Sequence, residues 1–222
     1  MTATLQLYYA PGACSFVPHT LLEAAGAAYE PRMVKLHKRE NEEPPFLAVN
    51  PRGQVPVLVH GSEVITQVPA IVYYLDALFP EQRFLPREVL ARTRALELLA
   101  WMNNTVHPIF THVFRPYLYS DDAGVQEQLR RFNAVRYRAL LEELQAAVIA
   151  GGAAGGGWLG GAAFGPLDAY ALTLTRWGSI AGIDPEGFAA LWPYVQRVAA
   201  VPAVARAIER ERLKLNLYAP PA

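Results

Sequence analysis

The chain has 222 residues, of which 52% are hydrophobic and 18% charged, with 20 basic and 20 acidic side chains. This is enough apolar material for one large core or two small ones, and it excludes compositional disorder. The balanced charge gives no electrostatic case for nucleic acid or an anionic membrane as partner, and the lone cysteine, Cys14, argues against a disulfide-stapled secreted scaffold.

No basic, then apolar, leader opens the sequence, and no run of 18 apolar residues long enough to span a bilayer occurs. A cytoplasmic protein is the expectation. Leu5 to Tyr8 reads as a strand that runs into the Pro11-Gly12 turn. Cys14 follows where the next helix should begin, and that helix is expected over Pro18 to Ala25, stopped by Gly26. A thiol at a helix start is favoured as thiolate by the free N–H groups there, so Cys14 is a candidate nucleophile. The competing reading is a small buried hydrophobe.

Tyr29 to Leu36 reads as a second strand, and Phe46 to Val49 as a short helix stopped by Asn50-Pro51. Val55 to His60 and Glu63 to Thr66 flank Gly61-Ser62 as a hairpin. Pro69 suits the first turn of a helix through Leu78. Up to here the order is that of a small α/β domain with a mixed sheet.

Residues 80 to 86 are a linker between proline stops, and beyond them the pattern is helical. Leu90 to Tyr119 should bend or break at Pro108 and Pro116. Val125 to Ile149 is a long amphipathic helix. Pro166 to Ala181 is apolar almost all round and should be a buried central helix. Phe188 to Ala199 and Pro202 to Lys214 complete a bundle. The glycine-rich segment from Gly151 to Gly165 lacks the marks of a phosphate loop or dinucleotide fingerprint.

This plan, with residues 1–80 as an α/β domain and 87–222 as an all-helical one, resembles the cytosolic glutathione transferases. The segment Tyr9-Ala-Pro-Gly-Ala-Cys-Ser15 is similar to the catalytic segment of the bacterial beta class. Asn50-Pro-Arg-Gly-Gln-Val-Pro56, Thr66-Gln-Val-Pro-Ala-Ile71, Phe164-Gly-Pro-Leu-Asp-Ala-Tyr170 and His107-Pro-Ile-Phe-Thr-His-Val-Phe-Arg-Pro116 each fall where that family has a motif. Two departures stand out: Val68 where serine or glycine is common, and Gly165 where a Ser or Thr cap is usual.

The resemblance implies a thioredoxin-like first domain, glutathione as co-substrate and conjugation to a small apolar electrophile. It implies Cys14, Ser15 and His107 as catalytic residues, and a cis Val55–Pro56 bond that turns the Val55 backbone toward the cysteinyl part of glutathione. Gln54, Val55, Pro56, Gln67, Val68 and Asn104, with Arg39 or Lys38 for the glycyl carboxylate, make up the implied glutathione site. Phe114, Tyr117, Tyr119 and Trp177 are candidate walls for the electrophile. A homodimer is expected, with Gln67 to Leu78 and Ala91 to Asn104 contributing, on the resemblance and on the apolar surplus. The other histidines, His19, His37, His60 and His112, lack ligand spacing, so no metal is expected.

Two further readings stay open. Cys14 can serve glutathione-dependent thiol–disulfide or peroxide reduction, although Val17 stands where a Cys-x-x-Cys pair would have its second thiol. Alternatively, the fold serves a non-enzymatic binding or dimerisation protein.

Overall fold

The structure is a computed structural model that describes residues 4–220. Its first part is a four-stranded mixed sheet of order β2-β1-β3-β4. Strand β1 (Leu5–Tyr9) leads through α1 (Phe16–Ala24) to β2 (Tyr29–Met33), which pairs with it in parallel. Strand β3 (Val57–His60) pairs antiparallel with β1, and β4 (Glu63–Thr66) returns beside β3 through the turn at Gly61. Helix α3 (Val68–Leu78) closes this part.

Side-chain alternation on β1 splits the sheet into two faces. Leu5, Leu7 and Tyr9 face the main core with Phe16, Val17 and Leu21 of α1 and Ile71, Val72 and Leu75 of α3. On the other face lies a smaller cluster. There Tyr8 meets Phe46 of α2 (Pro44–Leu47) edge-on at 5.9 Å. Strand β2 stops at Met33, short of the expected Leu36, because the chain turns where Glu40 accepts the Lys35 N–H at 2.8 Å. Helix α1 starts two residues earlier than expected. Pro18 fits in its first turn, where a missing N–H costs nothing.

Every strand among the described residues lies before residue 67, and helices follow. They are α4 (Val89–Trp101), α5 (His107–Phe114), α6 (Ala123–Ala150), α7 (Pro166–Ile180), α8 (Leu191–Ala199) and α9 (Pro202–Glu211). Between α4 and α5, Met102–Val106 forms a π turn in which the His107 N–H reaches back to the Met102 carbonyl. Pro108 accounts for it: without an N–H it cannot bond four residues back to Asn104, and the ladder widens.

Helix α7 is the buried axis of the helical part. Asp168 caps it by accepting the Gly165 N–H at 2.7 Å and the Leu159 N–H at 2.8 Å, with the Tyr194 hydroxyl as a third donor. Gly165 replaces the usual hydroxyl residue for a steric reason. A Cβ there would stand 2.9 Å from the Phe84 carbonyl. Phe84 and Leu85 in the linker are buried, and the buried Asp76 of α3 ties the two parts together. It accepts from the Leu85 N–H at 3.0 Å and from Arg87 and Arg92, each at 2.9 Å.

Candidate active site

The loop Ala10–Ser15 carries Cys14 from β1 into α1. It is anchored at Gly12, whose φ of +70° suits glycine. The Gly12 N–H donates to Glu211 Oε2 at 2.7 Å, and its carbonyl accepts the Trp177 indole N–H at 2.8 Å. Glu211 also binds His19 Nδ1 of α1 at 2.6 Å, with both side chains fully buried. Helices α7 and α9 therefore hold the cysteine loop from the helical side.

Cys14 is buried, and its Sγ lies 3.6 Å from the Val55 carbonyl. Burial pushes the thiol up to about 12, outweighing the Arg115 charge and the backbone N–H groups of Cys14 and Ser15, which favour the thiolate. The expected low-pKa thiol is thus reversed. Cys14 sits two residues before the first residue of α1, where the helix end helps least, and desolvation wins. Ser15 is fully buried, and its hydroxyl is occupied both ways by Ala10: it donates to the carbonyl at 3.2 Å and accepts the N–H at 3.1 Å.

His107 opens α5. Its ring packs on Trp177 at 4.7 Å, and its Nδ1 lies 2.9 Å from the Tyr170 hydroxyl. That hydroxyl donates to Asn103 Oδ1 at 3.3 Å. Burial, with the Arg115 charge second, holds His107 down to about 4, so it is neutral at physiological pH. Burial also raises Tyr170, with Cys14 as the next cause. No local pattern in the sequence assigns a role to Tyr170, Asn103 or Arg115. Arg115 and Tyr170 do stand inside two of the family-like segments, His107–Pro116 and Phe164–Tyr170.

The Val55–Pro56 bond is cis. Among the described residues no backbone group bonds the Val55 N–H, which remains available at the sheet end, while its carbonyl accepts from the Cys14 thiol. Gln67 precedes α3 at φ +72° with an exposed side chain, and Val68 behind it is buried. The first-turn N–H groups of Val68 and Ala70 are unpaired within α3, while Pro69 has none. Gln54 is exposed, and its carbonyl accepts from Asn50 at 2.7 Å. Lys38 and Arg39 lie at the surface, with Arg39 engaged by Glu42. Asn104 is exposed and accepts from Asn103 at 2.8 Å, so Asn103 is the asparagine that reaches the His107 network.

The four aromatic candidates do not share one environment. Phe114, Tyr117 and Tyr119 are about half exposed around the end of α5. Trp177 is buried at 5% exposure beneath Phe110, which stacks on it at 4.6 Å and on Phe114 at 5.5 Å. It is a floor and a loop anchor, not a free wall. Among the described residues no group of three or more His, Cys, Asp or Glu could hold a metal ion, and no helix is long and apolar enough to cross a membrane.

Residues 3–77 match the family model described as glutathione S-transferase, N-terminal domain. Glutathione S-transferase GstA of Escherichia coli O157:H7 is 31% identical over 218 residues, covering 95% of this chain and 100% of the relative. A sphingomonad glutathione S-transferase complexed with glutathione superposes with a TM-score of 0.79 at 32% identity, covering 94% of this chain and 100% of that one. The bacterial beta class glutathione S-transferase of Sphingomonas chungbukensis gives 0.80 at 29% identity, with the same coverage. Sequence and architecture agree over nearly the whole length, and the chain belongs to the glutathione S-transferase family.

Proposed function

We propose that this transferase joins glutathione to small apolar electrophiles, with Cys14 beside the glutathione sulfur and His107 assisting its ionisation. The observation that carries the reading is the 3.6 Å approach of Cys14 Sγ to the Val55 carbonyl, next to the Val55 N–H left unpaired at the sheet end. A peptide-like ligand can pair with Val55, as an added strand does, with its thiol toward Cys14. The N–H groups opening α3 suit its glutamyl carboxylate, and Gln67 suits the amine. Residues 1–80 then bind glutathione, and residues 87–222 complete the electrophile site with Phe114, Tyr117 and Tyr119.

In this reading the neutral Cys14 thiol donates a hydrogen bond to the glutathione thiolate, and Arg115 adds positive charge. Ser15 is a loop brace, given its bonds to Ala10. The raised thiol favours conjugation over redox exchange, which needs a thiolate. A cytoplasmic homodimer is part of the proposal, with exposed Val64, Tyr73, Val89 and Leu90 available for an interface.

The test is retention on immobilised glutathione with elution by free glutathione, followed by conjugation of a chloronitrobenzene. Retention with turnover supports the reading. Retention with disulfide reduction and no conjugation favours the redox alternative, and flow-through favours a non-enzymatic protein.

A further inference from the structure

We propose that Tyr170 and Asn103 are positioning residues that fix His107 as its Nδ1–H tautomer, leaving the bare Nε2 lone pair to receive the glutathione thiol proton. The direction of each hydrogen bond follows from the inventory of donors. The Asn103 amide nitrogen donates to Asn104 Oδ1 at 2.8 Å, which leaves its carbonyl oxygen for Tyr170. That oxygen can only accept, so the single hydroxyl proton of Tyr170 points to Asn103 at 3.3 Å. The hydroxyl then offers His107 only a lone pair across the 2.9 Å contact, and Nδ1 must carry the ring proton. Tyr170 is fully buried on the central helix, so water does not compete for this contact.

The consequence is chemical. A neutral imidazole held with its proton on Nδ1 is an acceptor at Nε2 and nothing else. The inference rests on the proposed role of His107 in glutathione ionisation. In that step the S–H bond breaks, its electron pair stays on sulfur, and the proton goes to Nε2. The thiolate beside the new imidazolium stabilises it by charge pairing. Once sulfur attacks the electrophile, the proton leaves from Nε2 to the leaving group or to solvent. The opposite tautomer would present an N–H to the thiol and could not take the proton.

The experiment is a two-bond nitrogen–proton NMR spectrum of the intact free protein, with the His107 signal identified by its loss in His107→Gln. The expected pattern is Nδ1–H in the wild type. Tyr170→Phe and Asn103→Ala should shift it toward Nε2–H, while Asn103→Asp, which keeps an acceptor, should hold it. In parallel, Tyr170→Phe should lower kcat about tenfold, in the range of a mispositioned proton acceptor, with KM for glutathione within about twofold. A wild-type Nε2–H pattern, or a tautomer indifferent to both substitutions, overturns the proposal. Unchanged turnover in His107→Gln overturns the base role on which it rests, whatever tautomer is found.

Discussion

The amide of Gly12 donates to the carboxylate of Glu211, 199 residues further along the chain, in a buried bond of 2.7 Å. One residue, Ala13, separates Gly12 from Cys14, and the other oxygen of Glu211 binds His19 on the helix that follows the thiol. The last turn of α9 therefore braces the cysteine loop on both sides.

Glu211→Ala should leave two buried polar groups unpaired at a cost of about 3 kcal/mol. Glu211→Gln keeps an acceptor for Gly12 and should lose less than half of that. Thermal unfolding of the two variants beside the wild type checks the order. Equal melting temperatures for wild type and Glu211→Ala would contradict the bracing role.

Cys14 should alkylate with iodoacetamide more slowly than free glutathione at pH 7.5, because the buried thiol is held up to about 12. The rate should climb with pH throughout the alkaline range instead of levelling off near neutrality. A plateau below pH 8 would mean that the thiolate is stabilised after all. In conjugation, Cys14→Ala should cost less than His107→Ala, since only a hydrogen bond is lost; steady-state kinetics of both variants decide it.

The low His107 value has a sign that stability measurements can read. Its folded value, about 4, lies below the ordinary 6.5, so the unfolded chain takes up the proton first. The stability it contributes is complete above about pH 6.5 and is lost progressively as pH falls toward 4. Denaturant melts between pH 4 and 7 should show this slope in the wild type and a flatter one in His107→Gln.

Asp76→Ala removes the acceptor for Leu85 N–H, Arg87 and Arg92 at the join between the sheet and the helices. A loss of about 2 kcal/mol is expected, since the Leu85 N–H is buried while both guanidinium groups keep access to water. Chemical denaturation measures it, and Arg87→Ala, with the more exposed partner, should cost well under half as much.

Assembly is checked by sedimentation. The proposed dimer predicts a species near twice the 24.5 kDa chain mass at micromolar concentration. Leu90→Glu, placed on an exposed apolar side chain at the start of α4, should shift it toward the monomer without unfolding it.

Much of the architecture was legible because local chemistry specifies it. Gly61-Ser62 between two alternating runs can hardly be anything but a hairpin turn, and Pro69 marks the start of α3 because its missing N–H fits there. The site was less legible where distance or competition decides. Backbone N–H groups at the start of α1 do favour the Cys14 thiolate, but burial, which no local pattern reveals, is larger. Trp177 is aromatic on a helix apolar all round, so sequence gives no way to tell a wall from a floor. Asn103 and Asn104 differ only by their angle on the helix, and the π turn that sets this angle left no periodic signature.

That π turn also governs phase. Each residue of an α-helix advances the side-chain direction by about 100°. The π turn takes up one extra residue within that advance, because the His107 N–H meets the Met102 carbonyl from five residues away where an ordinary α-helix would meet it from four. His107 therefore keeps its direction toward the Tyr170 hydroxyl although one more residue lies between it and α4, and a change that tightened the turn would be felt first at Asn103 and Asn104.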